Sequence, residues 1–175
     1  MNRRVVITGM GIYSCIGQNK EEVLKSLFEG KSGIGLDPQR KEMGYRSSLT
    51  GILKTPNLKS LLDRRQRLCL PEQGQYAFVA TKEALEQAGI DQDNEVGILF
   101  GNDSCAEPVI KGADIIREQK STVMVGSGNI FQTMNSTITM NLSTIFNLKG
   151  INFTVSGACA SGSHAIGLGY LLIKQ

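Results

Sequence analysis

The feature that most constrains the fold is an alternation of short apolar runs with helical patterns. Residues 3–12 (RRVVITGMGI), 95–101 (EVGILFG) and 150–158 (GINFTVSGA) have the β-branched, glycine-bounded composition of strands buried on both faces. Apolar residues recur at helical spacing in residues 20–30, 71–89, 108–119, 132–147 and 160–175. Buried strands that alternate with helices predict an α/β layered fold with a largely parallel or mixed sheet.

The remaining stretch, residues 31–70, is irregular. It contains an extended piece at 47–53 and a short basic helix at about 58–68, but no clean boundary between domains. A chain of 175 residues buries roughly two thirds of the surface that it exposes when unfolded. We therefore expect residues 1–175 to form one domain with its own core. The final helix reaches Gln175 without a stop signal, which predicts that the architecture continues beyond it.

Composition excludes several classes of function. The net charge of +3 is too small to indicate nucleic acid binding. No apolar stretch approaches the roughly 20 residues of a membrane span, and no signal peptide is recognisable, so a cytoplasmic protein is expected. The cysteines, Cys15, Cys69, Cys105 and Cys159, form no CxxC pair, and the chain has a single histidine. Neither a metal site nor a disulfide framework is predicted.

The segment SGACASGSHAIG, residues 156–167, places Cys159 between a predicted strand and a predicted helix. At such a turn, unpaired backbone N–H groups and the positive end of the helix dipole stabilise a thiolate. The same N–H groups suit the oxyanion formed during attack on a thioester. Because inert cysteines are also common in protein cores, the spacing alone leaves both interpretations open.

A base for this thiol is not evident in the sequence. His164, five positions beyond Cys159, is rotated by about 140° around a helix and points away from the cysteine. We expect it to be a partly buried helix histidine. The chain therefore presents a nucleophile without a base.

The segment ITGMGIYSCIG raises the alternative of a dinucleotide-binding turn. Gly9 and Gly11 fit the G-x-G-x-x-G pattern, but Ser14 occupies the third glycine position. No acidic residue follows a second strand at the usual distance. A tight turn and close packing explain these glycines better, and no cofactor is predicted.

Three segments resemble the β-ketoacyl-acyl carrier protein synthases of the elongating type, the condensing enzymes of fatty acid synthesis. They are RRVVITGMGIYSCIG at the start, QYAFVATKEALEQAGI leading to EVGILFG, and GINFTVSGACASGSHAIG. The resemblance covers nearly all of this chain but only the N-terminal half of the family's sequence. It implies the first half of a thiolase-like layered fold, with a mixed sheet of the five-stranded type covered by helices.

The resemblance also implies that the catalytic groups are divided between the N-terminal and C-terminal halves of the family's sequence. Cys159 matches the nucleophile that takes an acyl group from acyl carrier protein, and its N–H matches one oxyanion donor. The histidines that promote decarboxylation of malonyl-acyl carrier protein, a lysine and the second oxyanion donor belong to the family's C-terminal half. This chain alone is therefore expected not to complete condensation, and the full-length enzyme is expected to be a homodimer.

Two further positions match the family's acyl pocket with less specific signals. Met134 corresponds to a position that borders the pocket of the partner subunit, although it also suits a core gap. Cys105 lies in the segment FGNDSCAEP, which matches the pocket border but departs from the glycine-rich form at Asn102, Asp103 and Cys105. For Cys105 we favour a structural role.

Under the same resemblance, a short basic run could meet the acidic carrier protein or its phosphopantetheine. It consists of Arg64, Arg65 and Arg67. Because charge runs are usually solvated, a plain surface role for these arginines stays open.

Two other functions stay open. A thiolase would share the fold and the nucleophile but would use acyl-coenzyme A. A non-catalytic partner, comparable to the chain-length factors of polyketide systems, would share the fold but lack the cysteine, so Cys159 argues against it. A half-length chain that acts only as a binding or assembly unit stays open.

Overall fold

A computed structural model describes residues 3–90 and 95–175. The chain divides into two compact units. The N-terminal unit comprises Thr8–Asn57 and Tyr76–Gly89. The strand–helix unit comprises the described residues of Met1–Ile7, Leu58–Gln75 and Ile90–Gln175.

The N-terminal unit is mainly helical. Its elements are α1 (Lys20–Phe28), β1 (Ile34–Leu36), α2 (Pro38–Glu42), β2 (Leu49–Gly51) and most of α4 (Glu72–Ala88). The side chain of Asn19 caps α1 by accepting from the Glu22 N–H. Gly30 and Gly89 follow α1 and α4 at φ of +62°, a left-handed conformation that suits glycine. The predicted ends of these two helices are confirmed.

Residues 3–12 do not form the predicted strand. The N–H groups of Met10 and Ile12 donate to the side chains of Gln87 and Glu83 on α4, at 2.9 and 3.0 Å. A Cβ at Gly9 would lie 2.1 Å from the carbonyl oxygen of Ala84. Residues 9–12 therefore lie along a helix, where glycine permits close approach. Close packing is the role that the sequence pattern favours for these glycines.

The strand–helix unit contains the predicted strands at 95–101 and 150–158. Its elements begin with α3 (Arg64–Cys69) and the first turn of α4. The elements that follow are β3 (Ile98–Gly101), α5 (Ala106–Gln119), α6 (Asn129–Gln132), α7 (Thr137–Ile145), β4 (Asn152–Val155), a 3₁₀ turn (Ala158–Ala160) and α8 (Ser161–Lys174). The strands are shorter than the sequence runs because pairing begins at Ile98 and ends at Val155.

The parallel pair β3–β4 organises this unit. Ile98 is paired with Asn152 and Gly101 with Val155, so the carboxyl ends of both strands lie side by side. Helices α7 and α8 pack against the pair, and the side chains of Ile138 and Leu142 on α7 are almost fully buried. The α/β class is confirmed. The described residues form two two-stranded sheets, β1–β2 and β3–β4, and not one sheet of five strands. The strand predicted at residues 3–12 is absent from both sheets, and the N–H groups of Met10 and Ile12 are taken by side chains of α4.

Helix α7 buries polar groups as well as apolar ones. Thr139 forms a hydroxyl–hydroxyl hydrogen bond with Thr154 on β4. Asn141 donates to the Cys69 carbonyl at the end of α3, at 3.2 Å. Buried polar groups require such partners, so Thr139 attaches α7 to β4 and Asn141 attaches it to α3.

Candidate active site

Cys159 lies in the turn that joins β4 to α8, as the sequence predicts. Ser156 and Gly157 leave the strand, residues Ala158–Ala160 form the 3₁₀ turn, and α8 begins at Ser161. The cysteine is exposed. Because parallel strands present their carboxyl ends at one edge, this turn lies beside the residues that follow β3.

The backbone of the turn is strained. Ala158, immediately before the cysteine, has φ of +49°, a region that residues with a Cβ seldom adopt. Strain of this kind costs on the order of 1–3 kcal/mol and persists where surrounding contacts enforce it. The contacts that enforce it come from both sides of the turn.

Ser161 supports the turn from the helix side. Its hydroxyl donates to the Ala158 carbonyl at 2.7 Å and accepts from the Gly157 N–H at 2.9 Å. The residue is buried. One hydroxyl therefore fixes the two residues that precede Cys159.

Asp103 supports the turn from the strand side. Its Oδ1 accepts hydrogen bonds from the Ser156 hydroxyl and, at 2.9 Å, from the Ala158 N–H. The Ser156 hydrogen bond, followed by those of the Ala158 and Gly157 amides, lowers the pKa of this carboxyl. The side chain is therefore an ionised acceptor at neutral pH.

The amide and thiol of Cys159 have no hydrogen-bond partner among the described residues: no acceptor receives the Cys159 N–H, and no side chain hydrogen-bonds its sulfur. A free amide next to an exposed thiol is the arrangement that binds the oxygen of a thioester under attack.

His164 differs from the expectation. The residue is exposed and not partly buried, because α8 begins only three residues earlier. A Cβ built on Gly157 would lie 2.7 Å from the imidazole Nδ1. The ring thus lies against the turn, and only glycine fits beneath it.

Gly101 allows β3 and α8 to approach. A Cβ at this position would lie 2.4 Å from the carbonyl carbon of Ser161 and 2.5 Å from the Gly162 nitrogen. Both neighbours are backbone atoms in the first turn of α8, so they cannot swing aside. The end of β3 thus sets the position at which α8 begins.

The two predicted pocket residues, Met134 and Cys105, lie on two segments that hydrogen bonds of the Asn102 side chain connect. The side chain of Asn102 donates to the Asn135 carbonyl at 2.8 Å and to the Cys105 sulfur at 3.3 Å. Cys105 also accepts from Gln73 at 3.1 Å and is buried. Met134, next to Asn135, is 40% exposed. Burial and two donors agree with the structural role favoured for Cys105.

The arginines of α3 separate into two groups. Arg64 and Arg65 are exposed and border a cleft of about 500 Å³. The rest of the lining is Leu68, Cys69, Ser127, Gly128 and Phe131. Arg67 instead donates to the Leu62 carbonyl. Gln132 on α6 donates to the Leu68 carbonyl at 2.6 Å, which holds the end of α3 in place.

Asp103 is a site residue that the sequence alone does not reveal. The signal that could have found it is its position two residues after Gly101, at the carboxyl end of β3, since residues beyond such strand ends commonly form sites. Identifying its partner requires the register of β3 against β4.

Residues 3–90 and 95–175 contain no group of three or more potential metal ligands. No helix in these ranges is long and apolar enough to cross a membrane.

Comparison with known proteins agrees with this arrangement. Residues 2–175 match the model of the β-ketoacyl synthase N-terminal domain. The 3-oxoacyl-(acyl-carrier-protein) synthase 1 of Buchnera aphidicola subsp. Baizongia pistaciae is 37% identical over 98% of this chain and 44% of its own length. The chain thus spans less than half of that curated relative.

Solved structures show the same fold. A β-ketoacyl synthase from Burkholderia phymatum superimposes with a TM-score of 0.80 and 29% identity over 98% of this chain and 44% of that one. A ketosynthase solved in complex with a type II polyketide acyl-carrier protein has a TM-score of 0.73 and 20% identity over 99% of this chain and 48% of that one. The thiolase-like fold expected from the sequence is confirmed.

Proposed function

The chain belongs to the β-ketoacyl synthase family, and we propose that it supplies the acyl-accepting half of a cytoplasmic condensing enzyme of fatty acid synthesis. The observation that carries the proposal is the exposed Cys159 thiol beside its own unbonded amide, on a turn held at the start of α8. This combination suits a nucleophile that attacks a thioester, because the amide can donate to the oxygen that gains negative charge.

In the first step, the Cys159 sulfur attacks the carbonyl carbon of an acyl thioester carried on phosphopantetheine. A new carbon–sulfur bond forms and the original one breaks, and the proton that the Cys159 thiol gives up passes to the departing carrier thiolate. The Cys159 N–H donates to the carbonyl oxygen as it gains negative charge, which lowers the barrier.

In the second step, malonyl-acyl carrier protein loses carbon dioxide, and the resulting enolate attacks the acyl carbon on Cys159. The carbon–carbon bond forms and the cysteine sulfur leaves. The groups that promote this step belong to the C-terminal half implied by the family resemblance. That the chain covers 44% of its Buchnera relative supports this division.

Acyl carrier protein is the proposed partner. The exposed Arg64 and Arg65 at a largely apolar cleft suit an acidic protein with an apolar acyl cargo. One structural neighbour is a ketosynthase bound to its acyl-carrier protein, which supports this choice. A second copy of the full-length enzyme is the other proposed partner. Among the described residues β4 pairs only with β3, so the other edge of β4 is open to a strand of that second copy.

The test is the intact mass of the chain after incubation with acyl-acyl carrier protein, with peptide mapping of any adduct. We expect one acyl group on Cys159, none in Cys159→Ala, and an unchanged adduct in the matched variant Cys105→Ala. Acylation of another cysteine would contradict the assignment of the nucleophile. Acylation by acyl-coenzyme A but not by the carrier protein would favour a thiolase.

A further inference from the structure

The turn before Cys159 depends on a carboxylate from another strand. Asp103 follows β3, whereas the turn follows β4, and the two are brought together by the pairing of Gly101 with Val155. The Asn102 N–H also donates to the Val155 carbonyl at 3.1 Å, which extends the ladder to the residue before Asp103. The carboxylate therefore lies one residue beyond the last hydrogen bond of the β3–β4 ladder.

The hydrogen bonds of Asp103 act where the backbone is strained. Its Oδ1 accepts the N–H of Ala158, the residue with φ of +49°. An ionised acceptor forms hydrogen bonds roughly twice as strong as a neutral one. The bond with the Ser156 hydroxyl holds the preceding residue to the same oxygen.

The hydrogen bond between Asp103 and the Ala158 amide leaves the amide of Cys159 without an acceptor among the described residues. Asp103 and Ser161 together engage the N–H groups of Ala158 and Gly157. A left-handed residue changes the direction of the chain, so the next N–H points elsewhere. Fixing Ala158 consequently fixes the direction of the Cys159 amide and thiol.

We propose that Asp103 is a positioning residue that holds the strained Ser156–Ala158 turn and thereby orients the thiol and amide of Cys159 for attack on the acyl thioester. The inference rests on the proposed function of Cys159. Asp103 does not touch the reacting atoms in this proposal. It acts through the backbone, and its absence leaves the thiol exposed but misdirected.

The experiment compares two reactions of the same sulfur. Acyl transfer from acyl-acyl carrier protein requires the amide at the carbonyl oxygen, whereas alkylation by iodoacetamide requires only an exposed thiol. Both rates are measured at Cys159 by peptide mapping. The variants are Asp103→Ala, Asp103→Asn and the control Asp114→Ala, which removes another exposed carboxylate, one that pairs with Arg117 on α5.

We expect Asp103→Ala to reduce the rate of acylation by about tenfold or more, the effect of losing a hydrogen bond to a charged group, with alkylation unchanged. Asp103→Asn keeps an oxygen acceptor, so most of the rate should return. Acylation of Asp103→Ala at the rate of Asp114→Ala would overturn the proposal. So would an equal loss of acylation and alkylation, which indicates general disorder.

A spectroscopic measurement separates this inference from the proposed function. The amide proton of Ala158 should move upfield in Asp103→Ala and stay near its original position in Asp103→Asn. If Cys159 of the unmodified chain accepts no acyl group but is alkylated, the proposed function fails. The Ala158 amide then decides the role of Asp103: a resonance that does not move overturns it.

Discussion

Replacing Gly101 by alanine tests whether the junction of β3 and α8 positions Cys159, the proposed nucleophile. A Cβ there would lie 2.4 Å from the Ser161 carbonyl carbon, whereas ordinary contact begins at 3.4 Å. Relieving the overlap requires a displacement of about 1 Å between the strand end and the helix. Because the atoms are backbone, the whole first turn of α8 must move.

The expected cost has two parts. Inserting a methyl group into a packed site destabilises a protein by about 1–3 kcal/mol, against which replacing glycine returns about 0.5–1 kcal/mol. The displacement also pulls the Ser161 hydroxyl from the Gly157 amide and the Ala158 carbonyl. A reacting group misplaced by 1 Å loses roughly 100-fold in rate, so acylation of Cys159 should fall more than stability does.

The assays are urea denaturation, for the free energy of unfolding, and the rate of Cys159 acylation by acyl-acyl carrier protein. Gly167→Ala is the matched control, since a Cβ on this exposed position of α8 meets nothing within 4 Å. It should stabilise the helix by about 0.5–1 kcal/mol and leave acylation unchanged. If Gly101→Ala behaves as Gly167→Ala does, the junction does not position the turn and the reasoning is refuted.

The remaining predictions concern charge. Replacing both Arg64 and Arg65 by glutamate should weaken binding of acyl carrier protein by about tenfold, as measured by fluorescence anisotropy. The difference in affinity should vanish near 1 M salt, where the Debye length is about 3 Å. The same loss in the control Lys41→Glu/Arg46→Glu would contradict a local binding site. Because the folded pKa of Asp103 is lowered, its stabilising contribution is complete above the unfolded value near 3.9 and is lost as the pH falls through the folded value. The difference in unfolding free energy between the unmodified chain and Asp103→Asn should therefore be constant from about pH 7 to 5 and shrink below about pH 4. Urea denaturation across this pH range measures the difference. A difference that stays constant below about pH 4 would argue against an ionised Asp103 acceptor.

Local signals were sufficient for most elements. Helices α1 and α4 end where Gly30 and Gly89 follow an apolar stripe, and β3 and β4 lie within the β-branched runs. The position of Cys159 between β4 and α8 follows from the same local pattern. These features depend on propensity and periodicity within one segment, which a sequence displays directly.

One error arose where a distant partner decides the conformation. Residues 3–12 have strand composition, but the N–H groups of Met10 and Ile12 are taken by side chains on α4, more than 70 positions away in the chain. That pairing leaves no mark in the local sequence. His164 differs for a local reason: helical phase predicts a partly buried residue, whereas its ring lies against Gly157 in the short turn before Ser161 and is exposed.

Ala158 shows why the site itself was only partly predictable. Nothing in the sequence SGAC singles out alanine for a left-handed conformation, and glycine stands one position earlier, at Gly157 with φ of −174°. Glycine is the residue expected in the left-handed conformation, yet Gly157 is extended and Ala158 is left-handed. A different neighbour constrains each position. Gly157 must admit the His164 ring, whereas Ala158 is held by a carboxylate that comes from β3. The strain at Ala158 is thus maintained by Asp103 and Ser161, and the sequence does not display it because neither partner can be assigned to Ala158 without the fold.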